Sequence, residues 1–370
     1  MDAAHIHGGV EASVYGLAQE LAKKYNVSVF DVPRSDVPDK VEMDGNAEVR
    51  RFNRKLRWNI SDISRLDDYC RLIVDEHASV VHIHGTGIFS SLLYNRLKKV
   101  GQNVVLTVHG ILTIEQKNAL NKKFTLKRFL QYKYQTYFER LVLNNCKNAI
   151  VDTDYVREML NSISLKHTPN MFTIPQGIAD VYFNLKHHDA EHKIVLAVGG
   201  LSGRKGHLIT MRAFDKIADK HKDAELIIAG CVTSAPYYRS MMELKDSLPH
   251  GDRITILPDA DYDVLLGLYS KATLFALHSE EESQGIVFAE AMAAGLPIVA
   301  TNSGGIPYVV HDDENGILCK YGDVDSFASD MDSLLSDETS RNLISARNTE
   351  EAKKYNWANI ANEIVKVYSL

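Results

Sequence analysis

No stretch of this sequence reaches the roughly 18 to 20 consecutive apolar residues that a membrane-spanning helix requires, and Met1–Gly9 lacks the apolar core of a secretory signal. Both features fit a cytoplasmic protein. Cysteine is scarce: Cys70, Cys146, Cys231 and Cys319 show no C-x-x-C spacing and no histidine at metal-finger intervals. That excludes a disulfide framework and a structural zinc site, and leaves buried free thiols. There is also no excess of base, since 42 Lys+Arg face 48 Asp+Glu for a net charge of −6. The chain as a whole is not built to coat nucleic acid.

What remains is ordinary globular material, 370 residues with 45% apolar and 24% charged side chains. This length suits two domains of roughly 180 residues each. Short β-branched runs alternate with helical patterns, as in βα units that build parallel sheets covered on both faces. Strands are expected at Val27–Phe30, Ala47–Phe52, Val80–His84, Val104–Val108, Ala149–Val151 and Phe172–Ile174 in the first half. In the second half they are expected at Ile194–Val198, Glu225–Ala229, Arg253–Leu257, Leu274–Leu277, Ile298–Ala300 and Gly316–Leu318. The apolar stripe Val14, Leu17, Ala18, Leu21 and Ala22 predicts a helix packed on the first sheet. An opening strand ahead of it is missing or degenerate, because residues 1–9 offer only Ala3, Ala4 and Ile6.

The apolar period fails after Pro175–Gln176–Gly177. The expected organisation is therefore a first domain over residues 1–178, a linker over 179–193, a second domain over 194–352 and a terminal helix over 353–370. The linker histidines His187, His188 and His192 have no accompanying carboxylate pattern and are read as solvated, with no metal expected.

The most informative segment is Ser279–Pro307. Glu282 and Glu290 have seven residues between them, and Gly285 stands just before a helical run. The first amides of that helix, at Gly285 and Ile286, form an anion site in front of the strand ends. Two carboxylates flanking such a site suit a diphosphate with a hydroxylated ring at each end, which describes a nucleotide sugar. A second cluster, Val198–Gly206, places glycines and then Arg204–Lys205 after the first strand of the second half. There, backbone and cation can meet a phosphate without metal. The cluster matches neither the Walker loop nor the dinucleotide fingerprint. In the first half Gly8–Gly9–Val10–Glu11 precedes the first helix, and His84–Gly85 and His109–Gly110 end two strands. Sites in such sheets gather at the carboxyl ends of strands.

Taken in order, Gly8–Glu11, Val81–Gly85, Thr107–Gly110, Ile174–Gly177, Lys205–Gly206 and Glu282 to Glu290 resemble the motifs of the family 4 glycosyltransferases. The resemblance spans nearly the whole chain. It implies the GT-B fold, an α/β architecture of two Rossmann-like doubly wound parallel-sheet domains facing a cleft. It also implies transfer of a hexose-type sugar from a nucleotide-diphosphate donor to an acceptor hydroxyl, with retention of configuration and without a metal or other cofactor. By resemblance Glu282 meets the donor sugar, Glu290 the ribose, Lys205 the diphosphate and His109 the sugar. Gly8 and Gly9 would approach the diphosphate from the other domain.

The chain departs from the family pattern at several positions. Gly200 stands where many members carry an arginine, so one diphosphate cation is lost or is replaced by Arg204. Gln284, Ala179 and Tyr308 replace a frequent aromatic, Asp and Glu. The acceptor is open: a glycan, a lipid-linked or a small-molecule hydroxyl. Residues 117–147 are basic, with Glu139 as an offset, and are interleaved with aromatics. They suit peripheral contact with anionic lipid at the inner membrane face, or else form an ordinary domain helix. A nucleotide-sugar 2-epimerase and a non-catalytic sugar-nucleotide binder are the alternative functions.

Overall fold

The computed structural model describes residues 9–30, 40–45, 47–51, 61–122, 124–186 and 192–370. Gly8, the expected opening strand, and His187 and His188 lie outside them. The chain forms two compact units, one of Val10–Pro175 with Ala358–Leu370, the other of Gln176–Trp357.

In the first unit the strands are β1 (Ser28–Phe30), β2 (Lys40–Asp44), β3 (Ala47–Arg51), β4 (Val81–His84), β5 (Val104–Val108), β6 (Asn148–Val151) and β7 (Asn170–Thr173). β4 to β7 lie side by side in chain order, all parallel. Every residue of β5 (VVLTV) and of β6 (NAIV) is buried, as expected for parallel strands with helices on both faces. β1, β3 and β2 form a separate three-stranded sheet in which β2 runs antiparallel to β3. That departs from the expected all-parallel pattern. β2 has the sequence KVEMD, and its Val41 and Met43 are exposed, so no buried apolar run marks it.

The second unit holds β8 (Lys193–Val198), β9 (Ala224–Gly230), β10 (Ile254–Pro258), β11 (Leu274–Leu277), β12 (Ile298–Thr301) and β13 (Gly316–Cys319). The order is β10-β9-β8-β11-β12-β13, and all the pairs are parallel. Successive side chains point to opposite faces of a strand. Accordingly Leu196 and Val198 of β8, Phe275 and Leu277 of β11 and Ile298 of β12 enter one core, while Val195, Ala197, Leu274, Ala276 and Val299 enter another. Two cores on one sheet make the doubly wound layer. The chain runs from β8 outward to β9 and β10, then returns to the other side of β8 to begin β11, so the order reverses between β8 and β11. Ligands in open α/β sheets sit beyond the strand ends at such a reversal.

The division falls between Pro175 and Gln176, and residues Asp180–Phe183 make one helical turn inside the second unit. Tyr182 is only 2% exposed and packs edge-on against Tyr269. A four-residue turn is too short to show a 3.6-residue period, which is why it escapes the sequence pattern. The terminal helix Trp357–Tyr368 buries Ile360, Ile364 and Val367, and the backbone carbonyl of Tyr368, in the first unit, accepts from Asn103 Nδ2 at 3.2 Å.

Candidate functional site

In the second unit the two loops that flank the strand reversal meet. β8 ends at Val198 and leads through Gly199–Gly200 to the turn Gly203–Lys205. β11 ends at Leu277 and leads to Glu282. Lys205 Nζ lies 2.5 Å from Glu282 Oε1, and Ser279 Oγ donates to the same oxygen at 2.8 Å. Ser279 is itself fixed, because Thr301 Oγ1 donates to its carbonyl at 2.6 Å. Glu282 is 6% exposed. Burial alone would raise its pKa, but the charge and hydrogen bond of Lys205, with Arg204 and Ser279, outweigh burial and hold it below the usual carboxylate range. Its Oε2 has no partner among the described residues.

The backbone that places this pair has little room for other residues. Gly206 takes φ +66°, and a Cβ there would stand 1.9 Å from the carbonyl oxygen of His278. Gly305 N donates to Glu282 O at 2.7 Å, and a Cβ on Gly305 would meet Ser283 O at 2.0 Å. The Gly304–Gly305 turn thus closes on the loop that carries Glu282. Gln284 is locked as well, its amide accepting from Gln176 N at 2.7 Å and donating to Gln176 O at 3.1 Å. An aromatic side chain could make neither bond. Gly200 leaves room for little more than a methyl group, since its Cβ would stand 3.2 Å from Thr233.

The helix Ile286–Ala293 begins directly after Gly285, as the sequence predicts, and its first amides are free of intrahelical partners. Glu290 lies on this helix and accepts from Tyr269 Oη at 3.0 Å. Burial pushes its pKa up to about 7, against the opposing hydrogen bonds of Tyr269 and Tyr182 and the charge of Lys205. Arg204 is exposed and contributes to the positive field at Glu282. Two buried histidines line the same loops. His207 contacts Gly199 O at 3.3 Å and His278 Nε2 accepts from Gly322 N at 2.8 Å; burial lowers both to about 4.

In the first unit the ends of three neighbouring strands each carry one polar side chain. His84 ends β4, His109 follows β5 and Asp152 follows β6. His84 Nδ1 stands 2.9 Å from His109 Nε2, and His109 Nδ1 stands 3.1 Å from Asp152 Oδ2. The His84 and His109 rings are stacked. His82 lies behind them, its two nitrogens bonded to Tyr368 Oη at 2.8 Å and Thr107 Oγ1 at 2.6 Å. Gly9, the first residue of the helix Gly9–Leu21, is grouped with the second unit, while the helix from Val10 on belongs to the first.

Glu139, counted in the sequence as an offset to surface bases, is fully buried. It accepts from Thr86 Oγ1 at 2.7 Å, Leu112 N at 2.9 Å and Thr113 N at 2.8 Å. One carboxylate therefore ties the loop after β4 to the start of the helix Leu112–Lys122. The residues missed in the sequence, Asp152, Glu139, Ser279 and Tyr269, carry no motif. The only available signal is that Asp152 directly follows a buried strand, as His109 does.

Family models match nearly the full chain in two parts, "Glycosyltransferase Family 4" over residues 7–180 and "Glycosyl transferases group 1" over 181–353. An uncharacterized glycosyltransferase of Methanocaldococcus jannaschii is 34% identical over 181 residues, 49% of this chain and 45% of that protein. A D-inositol 3-phosphate glycosyltransferase of Mycolicibacterium smegmatis is 28% identical over 242 residues, 62% of this chain and 54% of its own length. The chain thus spans about half the length of these curated relatives. Among solved structures, sucrose-phosphate synthase from Thermosynechococcus elongatus superposes with a TM-score of 0.81 at 21% identity, covering 98% of this chain and 93% of the other. An Anabaena protein solved with UDP and glucose superposes with a TM-score of 0.72 at 16% identity, covering 98% and 96%. At these identities the likeness shows the fold.

Proposed function

The chain belongs to the family 4 glycosyltransferases of the GT-B fold, and from that premise we propose that it moves a hexose-type sugar from a nucleotide-diphosphate donor to an acceptor hydroxyl with retention of configuration. The observation that carries this reading is the Lys205–Glu282 pair at the strand reversal. An ammonium has three N–H donors, so Lys205 can hold Glu282 and still meet a diphosphate. Glu282 has Oε2 left to accept from a sugar hydroxyl. The amides at Gly285 and Ile286 add donors for the phosphates, and Glu290, beside Tyr269, suits a ribose hydroxyl.

Breaking the anomeric C–O bond leaves positive charge on the sugar and negative charge on the departing phosphate. Preorganised cations and amides at the phosphate lower that barrier. The departing phosphate oxygen then takes the acceptor hydroxyl proton on the same face, so neither a protein nucleophile nor a metal is assigned a step.

The acceptor side is read from the first unit. The helix Leu126–Asn145 exposes Leu126, Leu130, Tyr134 and Tyr137 among Lys127, Lys133 and Arg140, with Phe124 just ahead of it. Burial of Glu139 removes the one acidic group from the stretch 117–147 that would offset those bases. Such a face suits an anionic lipid surface and, with it, a lipid-linked acceptor in polysaccharide, lipopolysaccharide or glycolipid synthesis at the cytoplasmic side of a membrane. No helix among the described residues is long and apolar enough to cross a membrane.

A thermal-shift screen of nucleotide sugars tests the proposal. Ligand at a hundred times its Kd stabilises the protein by about 2.7 kcal/mol, and the shift should vanish in Glu282→Ala. If no nucleotide sugar shifts the wild type, the donor assignment fails.

A further inference from the structure

Gln284 stands between Glu282 and Gly285 in the loop after β11, and it is 1% exposed. Toward Gln176 its side-chain amide behaves as a neighbouring backbone would, accepting from the N–H at 2.7 Å and donating to the carbonyl at 3.1 Å. Gln176 is where the chain enters the second unit from the first, and Trp357 is the last residue before it leaves. These two segments are bound to each other. Ile178 N donates to Tyr355 O at 2.9 Å, and Asn356 Nδ2 donates to Asp180 Oδ1 at 2.9 Å. A Cβ on Gly177 would stand 2.5 Å from the Trp357 ring, so the close approach requires glycine there.

The same loop is also tied to the turns of the candidate site. Glu280 N donates to Arg204 O at 2.8 Å, and Gly305 N donates to Glu282 O at 2.7 Å. The loop therefore has the Lys205–Glu282 pair on one side and the entering segment on the other.

A buried side chain in a close-packed interior cannot swing out alone, so Gln176 is released only when the loop that carries Gln284 shifts. A ligand held by Lys205, Glu282 and the amides at Gly285 and Ile286 opposes that shift. Part of its binding energy then acts on Gln176 as well. From this geometry we propose that Gln284 is a positioning residue that couples a nucleotide diphosphate at the Lys205–Glu282 site to the segments by which the chain enters and leaves the second unit. The proposal rests on the sugar-transfer reading, because it needs that ligand at that site. A side chain without an amide at position 284 leaves Gln176 N and O without these bonds and breaks the coupling.

Amide hydrogen exchange of the full chain, read at single residues, tests this with UDP and GDP as probes. The nucleotide that raises the thermal midpoint is held at a hundred times its Kd, where mass action caps the slowing of a coupled opening at about a hundredfold. In the wild type, exchange at Gln176 and Ile178 should slow on the order of tenfold or more beyond the slowing common to the whole unit. Gln284→Met has a similar length and no hydrogen-bonding amide. With the nucleotide at a hundred times that variant's own Kd, Ile178 should slow by less than about twofold, although its bond to Tyr355 is untouched.

Gln284→Glu keeps an acceptor for Gln176 N and loses the donor to Gln176 O, so its slowing should fall between the two. It carries the test if Gln284→Met does not fold. Slowing at Ile178 that is the same in the wild type and in both variants overturns the proposal and leaves Gln284 as a structural anchor. A wild-type Ile178 amide that the bound nucleotide leaves unchanged overturns it too, while the sugar-transfer reading stands. If neither nucleotide nor any nucleotide sugar shifts the thermal midpoint, it is that reading which falls, and the proposal falls with it.

Discussion

Lys205 and Glu282 are 77 residues apart in the chain and 2.5 Å apart in space, because β8 and β11 are neighbours across the strand reversal and each sends its loop to the same point. Both side chains are largely buried, so each needs the other. Removing one partner of such a pair strands a charge, whereas removing both does not. Lys205→Met should therefore cost on the order of 3 kcal/mol in urea unfolding, and Lys205→Met with Glu282→Gln should recover at least half of it. Strictly additive costs would show that the pair is not coupled. Transfer should be lost in both variants.

Glu290 gives a pH dependence of opposite sign to that of Glu282. Its folded pKa of about 7 lies above the ordinary carboxylate value of 4.5, so between these pH values the folded protein binds more protons than the unfolded chain. Its contribution to stability is present in full below about 4.5 and is lost as pH rises to about 7. Glu282 is held below its ordinary value, and its contribution is present at neutral pH and lost on acidification. Glu290→Gln should lower stability least above pH 7 and most near pH 5, measured as urea midpoints across that range. A constant difference between variant and wild type would show that Glu290 titrates normally.

Glu139 tests the link between the two loops of the first unit. A glutamine at this position keeps one accepting oxygen, but its NH₂ would face the Thr113 N–H that Glu139 Oε2 now satisfies at 2.8 Å. An unpaired buried donor costs about 1 to 3 kcal/mol. Glu139→Gln is therefore expected to destabilise by that amount, and Thr86→Val, which removes only the 2.7 Å contact, by about 1 kcal/mol. Equal stability of Glu139→Gln and wild type would argue against the capping role.

Much of this was legible in the sequence, and for identifiable reasons. β5, β8 and β11 announce themselves because a strand buried on both faces is apolar along most of its length. Gly285 marks the start of its helix, and the spacing of Glu282 and Glu290 survives as an acidic residue in a loop and another on the following helix. β2 was hidden because an exposed edge strand has no need of an apolar pattern. Asp152 and Glu139 were hidden for another reason. Their partners lie 43 and 27 residues away, and no local periodicity records a hydrogen bond made between elements so far apart in the chain. The same limit explains His84 and His109: both are visible as strand-end residues, but their contacts with each other and with Asp152 are not.

The helix Leu126–Asn145 supplies a prediction about the membrane surface. Phe124 is 70% exposed, Tyr137 63% and Leu130 58%, and the bases Lys127, Lys133 and Arg140 are exposed beside them. Apolar insertion and attraction to anionic headgroups act together on such a face, and only the second is screened by salt. Wild-type protein should co-sediment with phosphatidylglycerol vesicles at low ionic strength, bind them less at 0.5 M salt, and bind phosphatidylcholine vesicles weakly. Replacing both Leu130 and Tyr137 by Glu introduces like charge and removes apolar area without touching Glu139 or the strand ends. That variant should lose vesicle binding while keeping the thermal shift given by a nucleotide sugar and its own thermal midpoint. Wild-type sedimentation of the double variant, or equal binding to neutral and anionic vesicles, would show that the exposed aromatics and bases serve no lipid surface.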